Sequence, residues 1–161
     1  MLRIQIIRAK PNPLGRDRLG RTVPSSQLAG EWIDIKNVGT EVYGFKSIVL
    51  EHVAYPPGFP YGQWERVIDL TPAGSLAVNQ TLRVHSGGRI DLSLLHQVDI
   101  QGAELHIFTG KSYVWNNDRS DTARLMFYPA SPNLPFCVDQ AGYTLAPREG
   151  AILQRRGNLL V

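Results

Sequence analysis

Apolar and polar residues alternate with a period of two along several short stretches of this chain. Ile33 and Ile35 flank Asp34, and Leu82 and Val84 lie on either side of a single basic residue. Because successive side chains of a strand point to opposite faces, this alternation predicts half-buried β-strands. The predicted strands span residues 2–8, 31–37, 42–52, 66–70, 76–86, 113–115, 122–128 and 136–140.

Clusters of proline, glycine and asparagine separate these stretches and are typical of turns. Between them, no stretch of residues 1–143 has a capped period of 3.6 residues. The apolar segment 90–109 predicts a ninth short strand or a folded insertion. The sequence therefore predicts an all-β fold, a β-sandwich or barrel of about eight to nine antiparallel strands.

The segment after Pro147 fits two structures. Pro147 as the first residue and Gly157 as the cap would allow a helix, but Gly150 weakens it. The sequence Arg156-Gly157-Asn158 equally suits a hairpin turn, and we favour strands here.

Several segments, taken in order, resemble the lamin tail domain. Residues 30–39 read GEWIDIKNVG, similar to the opening strand and glycine turn of that family. The other segments that carry the resemblance are 12–17, 70–76, 82–87, 114–118 and 121–125. Together they extend over about residues 2–143, most of the chain.

This resemblance implies an immunoglobulin-like antiparallel β-sandwich in residues 1–143. Residues 144–161 depart from the family pattern, and we expect them to form a basic extension packed on the same domain. At 161 residues, the chain has the usual size of a single domain. The resemblance also implies a non-enzymatic protein-binding or scaffolding module, because no catalytic set comes with the family. We therefore expect a protein partner, whose identity the sequence does not specify.

The charges are unevenly distributed, although the net charge is only +3. Basic side chains concentrate near both ends of the chain, while the segment between them is acidic overall. Such an asymmetry is typical either of solvated ends or of a surface that binds polyanions. The alternative function is therefore a nucleic-acid or polyanion-binding accessory domain, with the candidate residues Arg16, Arg18, Arg21, Arg155 and Arg156.

The loop 55–64, which reads YPPGFPYGQW, is the candidate protein-binding site. Its aromatic residues are Tyr55, Phe59, Tyr61 and Trp64. Prolines reduce the entropy lost when a loop is ordered, and tyrosine and tryptophan are favoured at interfaces. The same rings would also suit a loop that closes one end of the core.

No catalytic, cofactor or metal site is expected. The four histidines are scattered singly, without the spacing of a zinc site, and the loop 116–121 lacks the glycine and terminal glutamate of an EF-hand. Cys137, flanked by apolar residues, is expected to be a buried and inert thiol. Trp115, which precedes the 116–121 loop, is expected in the core.

The chain has no run of 18 apolar residues. The apolar stretch that follows Met1 is too short and too charged for a secretory signal. We therefore expect no transmembrane segment and a cytoplasmic location.

Overall fold

The computed structural model describes residues 1–15 and 19–161, of which strands are the main component, with 40% strand and 9% helix. The predicted all-β class is confirmed. The strands are β1 (Ile4–Lys10), β2 (Trp32–Asn37), β3 (Tyr43–Gly44), β4 (Ile48–Ala54), β5 (Gln63–Asp69), β6 (Ser75–Leu76), β7 (Thr81–His85), β8 (Leu105–Phe108), β9 (Asp121–Phe127), β10 (Phe136–Tyr143), β11 (Leu153–Arg156) and β12 (Leu159–Leu160). The helices are short: α1 (Ser25–Ala29), α2 (Gln97–Ile100) and two 3₁₀ turns at Thr71–Ala73 and Leu92–Leu94.

Ten of these strands form one curled sheet in the order β5-β4-β9-β10-β12-β11-β1-β2-β7-β8, and β3 pairs with β6. Most neighbours are antiparallel, but β7 pairs in parallel with β8, and β10 pairs in parallel with β12. The sheet is therefore mixed, whereas the sequence predicts antiparallel pairing alone. The parallel pair β7 and β8 arises because the segment 86–104 crosses over and returns in the same direction, as parallel strands require.

The apolar residues of the alternating stretches meet in one core inside the curl. Ile33, Ile35 and Leu82 face it from one half of the sheet, and Leu50 and Leu125 face it from the other. All five are 0% exposed. The predicted position of Trp115 is also confirmed, because it is 5% exposed and belongs to this core.

Two long predicted strands are interrupted by tight turns. The predicted strand 42–52 breaks at Ser47, which has φ of 63°, and the predicted strand 76–86 breaks at Asn79, which has φ of 67°. Residues other than glycine rarely adopt this left-handed backbone conformation, and it ends a strand. The predicted strand 113–115 is irregular backbone instead.

The end of the chain forms the hairpin rather than the helix. β11 and β12 are antiparallel and are joined by a turn in which Gly157 has φ of 63°. β11 pairs with β1, and β12 pairs with β10, so the hairpin connects the two halves of the sheet. The division into residues 1–143 and an extension stays a prediction.

Candidate protein-binding surface

The loop between β4 and β5 consists of two successive proline turns. In the first, the Phe59 amide donates to the Pro56 carbonyl at 3.0 Å, and Gly58 has φ of 88°. Proline at the second position and a left-handed glycine at the third define a type II turn. The sequence Pro56-Pro57-Gly58 therefore fixes this part of the loop locally.

The second turn begins at Phe59, where the first one ends. The Gly62 amide donates to the Phe59 carbonyl at 3.0 Å, with Pro60 at the second position. Gly62 has φ of 77°, and a Cβ there would lie 2.4 Å from Cγ1 of Val53. Only glycine combines this conformation with so close an approach to β4.

These turns hold the aromatic rings of the loop away from the core. Tyr61 is 95% exposed, Phe59 is 51% exposed and Trp64 is 39% exposed, while Tyr55 is half-buried. Large aromatic side chains exposed together are unusual on a protein surface unless they contact a partner. Phe59 and Tyr61 therefore do not close one end of the core.

Two of the four rings are covered by arginine. The Arg124 guanidinium lies 3.8 Å from the ring centroid of Trp64, and the Arg119 guanidinium lies 4.8 Å from that of Tyr55. Arg124 also pairs with Glu51, with Nε donating at 2.8 Å. These cation–π contacts orient Trp64 and Tyr55, whereas Phe59 and Tyr61 project freely beside them.

A recess of about 230 Å³ opens next to the loop, lined by residues that include Tyr55, His52, Glu65 and Lys111. His52 is held in place because its Nδ1 lies 3.0 Å from Asp121 Oδ2. Lys111 donates to the Arg66 carbonyl, which ties the segment after β8 to β5. The recess is therefore a preformed polar cavity beside the exposed rings.

Asp121 fixes the wall of this recess. Besides His52, its carboxylate accepts hydrogen bonds from the backbone amides of Val53, Asn116 and Thr122, and from the Asn116 side chain. It thereby joins β4, β9 and the irregular segment before β9.

The same irregular segment is also held by Glu31, which is 1% exposed. Its carboxyl group accepts from Ser86 Oγ, from the Val114 amide at 2.9 Å and from the Trp115 amide at 3.1 Å. Burial raises the pKa of Glu31 to about 8, against the opposing effect of these donors. The sequence pattern gave no sign of this contact, because Glu31 and Trp115 are far apart in the chain.

Two of the singly scattered histidines form a pair. His85 Nδ1 lies 2.6 Å from the Ala29 carbonyl, which only accepts, so Nδ1 carries the proton. In the neutral ring, His85 Nε2 then accepts from His106 Nδ1 at 2.9 Å. Burial lowers the pKa of His85 to about 4, and burial also lowers the pKa of His106. Only the parallel register of β7 and β8 brings the two rings together.

The structure describes three of the five arginines proposed to bind an anion. Arg16 and Arg18 lie outside the described residues, and Arg21 and Arg156 are exposed. Arg155 is already engaged, because Nη1 donates to Asp139 Oδ2 at 2.5 Å and to the Ile6 carbonyl at 2.9 Å. Arg155 therefore has little capacity left for an external anion.

The expectation of a buried Cys137 is wrong, because the residue is exposed. The bulge in the pairing of β10 with β9 lies at Cys137 and shifts the register there. Partial burial raises the pKa of the thiol, which disfavours the reactive thiolate.

No group of three or more His, Cys, Asp and Glu side chains within residues 1–15 and 19–161 has an arrangement that could hold a metal ion. None of the helices in that part of the chain has the length and apolar character needed to cross a membrane.

Comparison of the chain with models of known protein families and with curated protein sequences finds no match.

Proposed function

We propose that this chain is a non-enzymatic protein-binding or scaffolding module of the lamin-tail type, built on an immunoglobulin-like β-sandwich. The β-rich structure supports the proposal, as does the single core between two halves of a curled sheet. The family assignment rests on the sequence segments that resemble lamin tail domains. The function itself depends on the exposed surface of the fold.

The observation that carries the proposal is the exposure of Phe59 and Tyr61 on a loop fixed by two proline turns. A rigid loop loses little conformational entropy when it binds, so its aromatic rings retain more of their contact energy. Aromatic side chains of this kind dominate the binding energy of many interfaces. The neighbouring recess would receive a polar side chain of the same partner.

The test is affinity capture from a lysate, comparing the wild-type chain with the double variant Phe59→Ala/Tyr61→Ala. We expect at least one protein to be retained by the wild type after nuclease treatment and to be lost from the variant. Purified partner should then bind the variant at least about thirtyfold more weakly, because two anchors of about 1 to 2 kcal/mol each are removed.

The matched control is Leu134→Ala, which removes an apolar side chain that is 84% exposed at another place on the surface. It should bind the partner like the wild type. Equal binding by the wild type and the Phe59→Ala/Tyr61→Ala variant would contradict the proposal.

The alternative, binding of nucleic acid or another polyanion, is supported by the pairing of β1 with β11. This pairing places Arg3, which is exposed, at a surface recess of about 600 Å³, and the exposed Arg156 also lies on β11. Binding through such contacts would weaken with salt, with a log–log slope of about −0.9 for each DNA phosphate contacted. Arg3→Ala/Arg156→Ala should flatten that slope, and absence of DNA and RNA binding at low salt would exclude this alternative.

A further inference from the structure

A second cavity, on the opposite side of β2 from the core, contains a buried ion pair. The cavity has a volume of about 240 Å³ and lies between the end of β1, helix α1 and the segment 96–99. Lys10, which is 4% exposed, and Asp99, which is 1% exposed, both line it. Lys10 Nζ lies 2.5 Å from Asp99 Oδ1.

Stability alone does not account for this pair. Removing two charges from water costs several kcal/mol for each, and a buried ion pair often contributes no more to stability than apolar residues of the same volume. The pair also does not fill its surroundings, because it borders empty space. Buried charges beside a cavity are typical of ligand sites.

The hydrogen bonds of the pair are incomplete on the side of the cavity. Asp99 Oδ1 accepts from both Lys10 Nζ and Trp32 Nε1, the latter at 2.8 Å. Among the described residues, neither Asp99 Oδ2 nor the two remaining N–H groups of the Lys10 ammonium has a partner. Every fully buried side-chain nitrogen or oxygen described does have one, so Asp99 Oδ2 must be reachable from open space.

The floor of the cavity therefore offers an anionic acceptor and cationic donors side by side. This arrangement is complementary to a molecule that carries an ammonium and a carboxylate on the same carbon atom. The walls near the floor include the apolar side chains of Pro13, Leu14 and Val98. These walls suit an aliphatic side chain on that molecule.

The volume limits the size of the ligand. About 240 Å³ is the space of about eight water molecules, at about 30 Å³ each in the liquid. An aliphatic amino acid such as valine fits in a space of this size.

We propose that this cavity binds a small aliphatic amino acid, whose carboxylate accepts from Lys10 Nζ and whose ammonium donates to Asp99 Oδ2. The site is separate from the aromatic loop between β4 and β5. The ligand would also strengthen the attachment of the segment 96–99 to β1, because it contacts Lys10 at the end of that strand and Asp99.

The test is titration of the ¹⁵N-labelled full chain with three probes: L-valine, isovalerate, which lacks the ammonium, and isobutylamine, which lacks the carboxylate. The reporter is the indole N–H signal of Trp32, which donates to Asp99. We expect a saturable shift with valine and binding at least about tenfold weaker for each of the other two, since each loses a charged hydrogen bond.

Lys10→Met should weaken valine binding at least about tenfold, and Lys36→Met, on the neighbouring strand β2, is the matched control and should leave it unchanged. Lys10→Met removes one member of a buried ion pair and therefore also destabilises the fold. A second variant, Val98→Phe, keeps both charges and fills the cavity from a position that is 44% exposed. Val98→Phe should also abolish binding. The absence of a saturable shift, equal affinity for all three probes, or undiminished binding by either cavity variant would overturn the proposal.

Discussion

Replacing Glu31 by glutamine should flatten the dependence of stability on pH between about pH 5 and pH 8. Glu31 is buried, and its pKa is raised from 4.5 to about 8. In the unfolded chain the carboxyl group loses its proton near pH 4.5, while in the folded protein it keeps the proton until about pH 8. The folded state therefore holds the extra proton in this window, and its stability falls as the pH rises.

The size of the effect follows from the shift. Each pKa unit corresponds to about 1.4 kcal/mol, so Glu31 accounts for a loss of about 5 kcal/mol across the whole window. Between pH 5 and pH 8 the loss is about 3 to 4 kcal/mol. Glutamine does not ionise, so the variant loses this component. It also presents an amide N–H to one backbone donor, at a cost of about 1 to 3 kcal/mol that is the same at both pH values.

The measurement is urea unfolding at pH 5 and pH 8, followed by tryptophan fluorescence. The difference in unfolding free energy between the two pH values should be smaller in Glu31→Gln than in the wild type by about 3 to 4 kcal/mol. Asp118→Asn, which removes an exposed carboxylate, is the control and should keep the wild-type difference. Parallel curves for the wild type and Glu31→Gln would refute the reasoning. If Glu31→Gln does not fold, the carboxyl ¹³C chemical shift of Glu31 is followed against pH in the wild type. A titration midpoint near pH 4.5 would then refute the reasoning.

Three further predictions concern packing and exposure. Trp115→Ala should lower the free energy of unfolding by about 3 to 5 kcal/mol in a urea titration, because it empties the core beneath the 116–121 loop; a loss within about 1 kcal/mol would place the ring outside the core. Gly62→Ala should lower it by about 1 to 3 kcal/mol, through a strained φ and a clash with Val53. Gly44→Ala, where a Cβ meets nothing within 4 Å, is its control and should have a much smaller effect. Cys137 should react with a thiol reagent in the native protein, though slowly at neutral pH; complete protection until the chain unfolds would contradict its exposure.

The alternation of apolar residues was enough to locate most strands and the core residues they carry, because a period of two specifies which side chains face inward. It was not enough to find the turns at Ser47 and Asn79, because each turn lies within a stretch whose apolar residues continue the strand pattern on both sides. The parallel pairing of β8 was also hidden, because the crossover segment 86–104 has no regular period. Pairing partners depend on tertiary contacts that a local pattern does not contain.

The candidate sites also differ in how far a local sequence pattern can predict them. The aromatic loop was recognisable because all its rings and both of its turns lie within ten consecutive residues. Lys10 and Asp99, or His85 and His106, come from different segments, and nothing in either segment indicates the other. Cys137 shows a related limit: apolar neighbours in the sequence indicate burial on average, but they do not determine the position of one side chain, and Cys137 is exposed beside a bulge.

The pairing of β1 with β11 also has a kinetic consequence. Arg8 lies opposite Gln154, so the strand that joins the halves of the sheet must find a partner from the other end of the chain. Closing so long a loop is entropically unfavourable until the contact forms, and sheets dominated by distant pairings fold in milliseconds to seconds rather than microseconds. During that interval the edges of β1 and β10 are unpaired, and they are the places where two partly folded chains would associate.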